Sequence, residues 1–181
     1  MGENLMSRTN CLLVMFLLSS TAIAFTGCAS ASDSDSATGQ AVEALEGPYK
    51  VAKVTDGDTI HVVRNGKDIK VRIIGIDTPE TVSNSQPIEC YGPEASAFAS
   101  GLLGGKTVYL EYDGSQDEVD KFGRTLAHVW TSDKKLYAAE AILEGFGVEM
   151  TYADPYNHRD LFLANQEHAK QEKVGLWGSC K

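Results

Sequence analysis

D-G-D-T-I-H-V-V-R-N-G-K-D-I-K-V-R-I-I-G-I-D-T-P-E, Asp56 to Glu80, is the stretch on which the reading of this chain turns. Two β-branched runs, Thr59 to Val63 and Ile69 to Ile74, flank Asn65-Gly66. Both of those residues tolerate positive φ, so the spacing predicts a tight hairpin with the runs as antiparallel strands. Closing the hairpin carries Asp56-Gly57-Asp58 toward Asp77-Thr78-Pro79-Glu80, and carboxylates distant in sequence become neighbours. Asp, Gly and Pro are also ordinary turn formers, which explains either acidic cluster taken alone. Together, with Arg72 between them, they ask for more: gathered like charges call for a cation or for a carboxylate used as a base.

Outward from the hairpin, Tyr49 to Val54 reads as a preceding strand, and Thr107 to Tyr112 and Thr125 to Trp130 as two later ones. Thr81 to Tyr91 is a long polar connection of the kind that carries function or moves. Gly92-Pro93-Glu94 opens a helix, with Ala95, Phe98, Ala99 and Leu102 at helical spacing and Gly104-Gly105 as its stop. Lys135 to Gly145 and Asp160 to Glu172 are the other helices, the last with Asp160 near its start and Lys170 near its end, as the helix dipole favours. Five short strands with helices between and after them predict an α+β fold, mainly β: a five-stranded OB-type barrel with about three appended helices.

The N-terminus stands apart. Cys11 to Ala24 is an apolar run of signal-peptide length, preceded by Arg8 and too short to span a bilayer comfortably. Phe25-Thr26-Gly27-Cys28 resembles a bacterial lipobox, with Cys28 as the lipidation candidate and an N-terminal lipid as the membrane anchor. The lipobox pattern prefers Leu where Phe25 stands, so ordinary secretion stays open. Residues 1–27 are thus expected to be a signal peptide and 28–46 a Ser/Ala/Asp tether too poor in large apolar side chains to fold. The domain is expected over 47–181. With 181 residues and 43% hydrophobic content there is enough chain for one cored domain, and a net charge of −9 argues against non-specific adhesion to polyanions.

Four motifs stand in register along that domain: Asp56-Gly57-Asp58-Thr59; Val71-Arg72 with Ile76-Asp77-Thr78-Pro79-Glu80; Tyr91-Gly92-Pro93-Glu94-Ala95-Ser96; and Asp120-Lys121-Phe122-Gly123-Arg124. In order and spacing, with the closing Gly175-Leu176-Trp177, they resemble the thermonuclease, or micrococcal-nuclease-like, family from about Tyr49 to Trp177. The resemblance implies a Ca²⁺-dependent phosphodiesterase with DNA and RNA as substrates. It implies Asp58 and Asp77 as metal ligands with the Thr78 carbonyl, Asp56 supporting them from behind, Glu80 orienting or deprotonating the attacking water, and Arg72 and Arg124 on the phosphate. Lys121 stays as a phosphate contact. Phe122 replaces the family's frequent tyrosine, and Met150 stands where an aromatic often stacks on the nucleotide, with Tyr152 the nearby substitute.

The chemistry asks for such a set on its own terms. Water attack on a phosphodiester builds negative charge that preorganised cations stabilise more than they stabilise the substrate. The planar fork of Arg matches two phosphate oxygens. A hard cation on two carboxylates and a carbonyl keeps positions for water and substrate.

Of the four cysteines, Cys11 leaves with the signal peptide and Cys28 is lipidated or in the tether. Cys90 and Cys180 remain in an exported domain, where a disulfide is the economical reading. No histidine pair has ligand spacing, and no Ser sits in a G-x-S-x-G setting, so His61, His128, His158 and His168 read as packing or surface residues. Nothing implies a protein partner, and a monomer is expected. The competing functions are a catalytically idle OB module binding single-stranded nucleic acid at the envelope, and a sugar- or protein-binding barrel. The set Asp58, Arg72, Asp77, Glu80 and Arg124 separates them, because a binding module gains nothing from carboxylates that repel phosphate.

Overall fold

A computed structural model describes residues 45–81, 87–152 and 154–181. The expected signal peptide, Cys28 and nearly all of the expected tether lie outside the described residues, as does the middle of the connection after Glu80.

The hairpin forms as its turn chemistry requires. Strands β2 (Thr59–Arg64) and β3 (Lys67–Ile73) pair antiparallel from Thr59 opposite Arg72 to Arg64 opposite Lys67. Asn65 and Gly66 both take positive φ, 53° and 75°, the two-residue geometry that matches strand twist. Because that turn is so short, β3 starts at Lys67, ahead of the apolar run that marked it in the sequence.

Strand β1 (Glu46–Val54) pairs with β2, and with β5 (Thr107–Glu111) on its other side. Strand β6 (Thr125–Thr131) runs antiparallel to β5 and parallel to β3. The order β1-β2-β3-β6-β5 therefore closes on itself as a five-stranded OB-type barrel, which removes every long sheet edge. Strand β1 begins one residue before the expected domain start: Glu46 is opposite Leu110 and accepts a hydrogen bond from Tyr49 Oη, so it belongs to the barrel and not to the tether. Alternation along the strands sends Val51, Ile60, Val62, Val71, Ile73, Val108, Leu110, Ala127 and Val129 inward, all buried. Each large one contributes about 1.5–3 kcal/mol.

Helix α1 (Gly92–Leu103) lays Ala95, Ala99 and Leu103 on the core, with Pro93 in its first turn. Helix α2 (Tyr137–Leu143) is nearly all buried, and helix α3 (Arg159–Glu172) packs on it through Phe162 and Ala169. The final turn α4 (Leu176–Ser179) adds a fourth, one-turn helix to the three expected. A small second sheet was not expected: β4 (Ile76–Asp77) pairs with β7 (Val148–Glu149), placing the segment after the hairpin against the approach to α3. Gly75, at φ 81°, makes the turn between β3 and β4, and a Cβ there would strike the rings of Tyr156 and Phe162.

Candidate active site

The barrel positions the site through one register. Asp58 immediately precedes β2 and Arg72 lies opposite Thr59, so the acid and the arginine meet at the same end of the hairpin. Both are buried, Asp58 to 6% exposure and Arg72 to 8%. Arg72 spends its fork on four acceptors. Nη1 donates to the carbonyls of Ile73 (2.9 Å) and Ile76 (2.6 Å), Nη2 to Asp77 Oδ1 (2.9 Å), and Nε lies 3.3 Å from Asp58 Oδ1. The guanidinium thus staples the β3–β4 turn from inside while holding both carboxylates. Only a planar, multi-donor cation does this.

Asp58 is satisfied on both oxygens. Oδ1 accepts from Thr59 Oγ1 at 2.9 Å; Oδ2 accepts from Thr78 N at 3.0 Å and Thr78 Oγ1 at 3.2 Å. That bridge joins the two acidic segments on which the sequence argument rested. Asp56 Oδ1 accepts from Asp58 N at 3.1 Å, which fixes the intervening turn. Gly57 permits the closeness, since a Cβ would sit 2.7 Å from Thr78 side-chain atoms. Its carbonyl accepts from the buried Tyr137 Oη at 2.6 Å, a tie to α2 that no local signal in the sequence announces.

Negative charge exceeds positive here, and the carboxyls register it. Burial first, and then the charge of Asp58, push Asp56 up to about 6. Burial also raises Asp77, with Asp58 and Glu89 adding to it and Arg72 opposing. Glu80 is raised by partial desolvation and by the charges of Asp58, Asp77 and Glu89. Among the described residues no three His, Cys, Asp or Glu side chains form a ready-made metal cage. What the site offers a hard cation is an oxygen-only donor set, Asp58, Asp77 and Thr78, in surroundings of uncompensated negative charge; both properties fit an ion such as Ca²⁺.

Arg124 immediately precedes β6, the strand paired in parallel beside β3, with Thr125 opposite Val71. Asp120 builds its turn: Oδ1 accepts from the backbone N–H groups of Phe122 and Arg124, both at 2.9 Å, and Oδ2 accepts from Arg124 Nε at 2.6 Å. Desolvation works against the Asp120 charge, yet these bonds hold its carboxyl below the usual carboxylate range. The anchor escaped the sequence reading, although an Asp opening a D-x-x-G-R turn is a recognisable Asx signal. Arg72 and Arg124 line one cleft of about 530 Å³, together with Lys121, Phe122, Met150 and Tyr152. Phe122 is 71% exposed and Tyr152 82%; the Phe122 ring carries Lys121 Nζ at 5.1 Å and Arg124 Cζ at 5.3 Å from its centroid, which leaves Tyr152 as the uncovered ring at this cleft. Glu80 sits beyond Asp77, tied by its backbone to Glu89. The Cys90–Cys180 disulfide is formed, with Cα atoms 5.9 Å apart.

The closed OB-type barrel thus holds a buried acid, Asp58, and a half-buried one, Asp77, on an arginine that lines one cleft with Arg124. Residues 70–179 match the staphylococcal nuclease homologue family. The chain is similar to thermonuclease of Staphylococcus hyicus, 40% identical over 136 residues, 75% of this chain and 79% of that protein. It is also similar to thermonuclease of Staphylococcus intermedius, 39% identical over 71% of this chain and 75% of that one. Endonuclease YncB of Bacillus subtilis is 35% identical over 69% of this chain and 59% of its own. The chain belongs to the staphylococcal nuclease homologue family, and it is a nuclease.

Proposed function

We propose that this chain is an exported, Ca²⁺-dependent endonuclease that hydrolyses phosphodiester bonds in DNA and RNA. One observation carries the reading: two arginines far apart in sequence but on neighbouring strands line a single cleft, and one of them is shared by the two carboxylates of an oxygen-only donor set. Asp58, Asp77 and the Thr78 carbonyl would hold the ion, which when bound supplies Lewis-acid stabilisation of charge on the phosphoryl oxygens. Asp56 supports these ligands by fixing the Asp58 backbone.

The other steps fall to side chains. Arg124, with the one Nη2–H that Arg72 leaves uncommitted, takes the phosphoryl oxygens, whose charge grows as the water oxygen bonds to phosphorus and the ester P–O bond breaks. Glu80 orients that water and accepts its proton, and its raised affinity for a proton makes it the stronger base. The leaving oxygen takes a proton from solvent. Lys121 contacts a neighbouring phosphate, and Tyr152 offers an open face for a base to stack on. Export is supported by the apolar run Cys11 to Ala24 and by the Cys90–Cys180 bridge, a bond of oxidising compartments. Acylation of Cys28 would add a membrane anchor; equal fatty-acid labelling of wild type and Cys28→Ala would rule it out.

The test is cleavage of fluorogenic single-stranded DNA and of RNA by the purified chain, with Ca²⁺ and with a chelator, alongside Arg124→Ala. Cleavage is expected to require Ca²⁺ and to fall about 10²–10³-fold in the variant, the loss typical of one removed charge-stabilising donor, with circular dichroism unchanged. A folded wild type that binds DNA and never cuts it would replace the nuclease with the idle binding module.

A further inference from the structure

Glu80 is exposed and follows the half-buried Pro79, and its carboxylate makes no hydrogen bond among the described residues. Its peptide group, however, is gripped. Glu80 N donates to Glu89 Oε2 at 3.0 Å, and Glu89 N donates back to the Glu80 carbonyl at 3.0 Å. The two residues thereby close the neck of the connection between β4 and α1 with a reciprocal pair of bonds. Gly92 seals the same point from the other side. It donates to the Glu89 carbonyl at 3.1 Å, and a Cβ on it would lie 2.7 Å from the Glu80 carbonyl oxygen. The grip is itself anchored, because Cys90, the residue after Glu89, is bonded to Cys180, and Cys180 N donates to Leu176 O at 2.9 Å in the last helical turn. Tyr91 stacks on Phe146 at 5.5 Å, and α1 continues from there into the core.

We infer that Glu89 is a positioning residue for Glu80, and that the Cys90–Cys180 disulfide holds Glu89 in place to do it. This rests on the reading of Glu80 as the group that orients and deprotonates water. A general base works only within hydrogen-bond reach of its proton, and a displacement of about 1 Å costs on the order of a hundredfold. The backbone bonds at Glu80 set where its side chain starts, and Glu89 supplies both of them. Glu89 touches no reacting atom; it acts through Glu80.

Two measurements on the full chain test this. Steady-state cleavage of a fluorogenic DNA is expected to show Glu89→Ala losing about tenfold or more in kcat with KM within about twofold. Glu89→Gln keeps an amide oxygen where Oε2 lies, so it is expected to stay within about threefold of wild type. Cys90→Ser/Cys180→Ser should fall between them. In a Glu80→Gln background, Glu89→Ala should cost nothing further, a non-additivity that a general structural role would not produce. Independently of cleavage, exchange of the Glu80 amide proton should quicken in Glu89→Ala and stay slow in Glu89→Gln.

Wild-type kcat in Glu89→Ala, or Glu89→Gln falling as far as Glu89→Ala, would overturn the inference. So would a full loss repeated in the Glu80→Gln background. Absence of cleavage by wild type would overturn the role given to Glu80, and with it that of Glu89. The amide exchange would then still report whether the grip exists, which separates the two failures.

Discussion

Replacing Arg72 with lysine keeps the charge and removes the geometry, which makes it the sharpest probe of the site's construction. Arg72 serves four acceptors at 2.6–3.3 Å, two backbone carbonyls and two carboxylates. A single ammonium on a flexible stem reaches two of them at best, so at least two buried or half-buried acceptors lose a charged donor. Each such loss costs roughly 1.5–3 kcal/mol, giving about 3–6 kcal/mol before relaxation and water entry reduce it. A net loss of about 2–4 kcal/mol follows, a large part of the 5–15 kcal/mol typical of a domain. Arg72→Met is worse, at about 3–5 kcal/mol, because it strands the buried Asp58 carboxylate without a cation. Urea unfolding followed by circular dichroism, in chelator so that no bound ion contributes, should rank wild type above Arg72→Lys and Arg72→Lys above Arg72→Met. Adding Asp58→Asn should recover part of the Met loss. A lysine variant within about 1 kcal/mol of wild type, or a Met variant as stable as the lysine one, would refute the claim that this fork builds the turn.

Gly57→Ala should cost about 1–3 kcal/mol by overpacking and lower cleavage as well, since its Cβ would meet the Thr78 atoms that hold Asp58; a thermal melt and an activity assay read both. Asp113 is opposed by burial, yet hydrogen bonds from His128, the Asn157 N–H and Ser115 outweigh it and keep its carboxyl well below the usual range. A depressed carboxyl stabilises the fold above its unfolded pKa of about 3.9 and loses that contribution as pH falls through the folded value. The stability gap between wild type and Asp113→Asn should therefore be full above about pH 5 and close progressively toward pH 2, as melts across that range would show. Cys90→Ser/Cys180→Ser, opening a loop of 90 residues, should lower urea stability by about 4–5 kcal/mol in the chain-entropy account. Phe122→Tyr should lower KM a few-fold and leave kcat unchanged in the DNA assay, by adding a hydroxyl to the edge of an exposed ring that lines the cleft.

The parts of the fold that were legible are those whose cause is local. Asn65-Gly66 dictates a two-residue turn, and the alternation of Thr59 to Val63 fixes which side faces the core, so the hairpin follows from adjacent residues alone. The pairing of β4 with β7 does not. Each strand is two residues long, too short for any period to show, and the pairing depends on the sharp turn at Gly75, whose need for glycine comes from Tyr156 and Phe162, some 80 or more positions later. His128 is the same case. It reads as an ordinary strand histidine, yet it is fully buried, with Nε2 3.4 Å from Asp113 and its ring edge-on to His158 at 5.0 Å. Those neighbours come from β5's far end and the start of α3, and no spacing in the sequence reports them.

The site divides along the same line. Charged side chains in an apolar strand or beside a Pro announce themselves, which is why Arg72, Asp77 and Glu80 stood out. The groups that fix their directions are backbone carbonyls, a buried phenol and an exposed glutamate, and these residue types are common everywhere in the chain. Tyr137 looks like one more core residue of α2 until its hydroxyl is found on the Gly57 carbonyl, and Glu89 looks like one more surface acid until its carboxylate and its N–H are both found on the Glu80 peptide group. A catalytic acid can be recognised from its own identity, whereas a positioning residue is defined by what it touches. For this chain, that second set becomes visible only when closure of the barrel brings α2 and the neck of the β4–α1 connection onto the end of the hairpin.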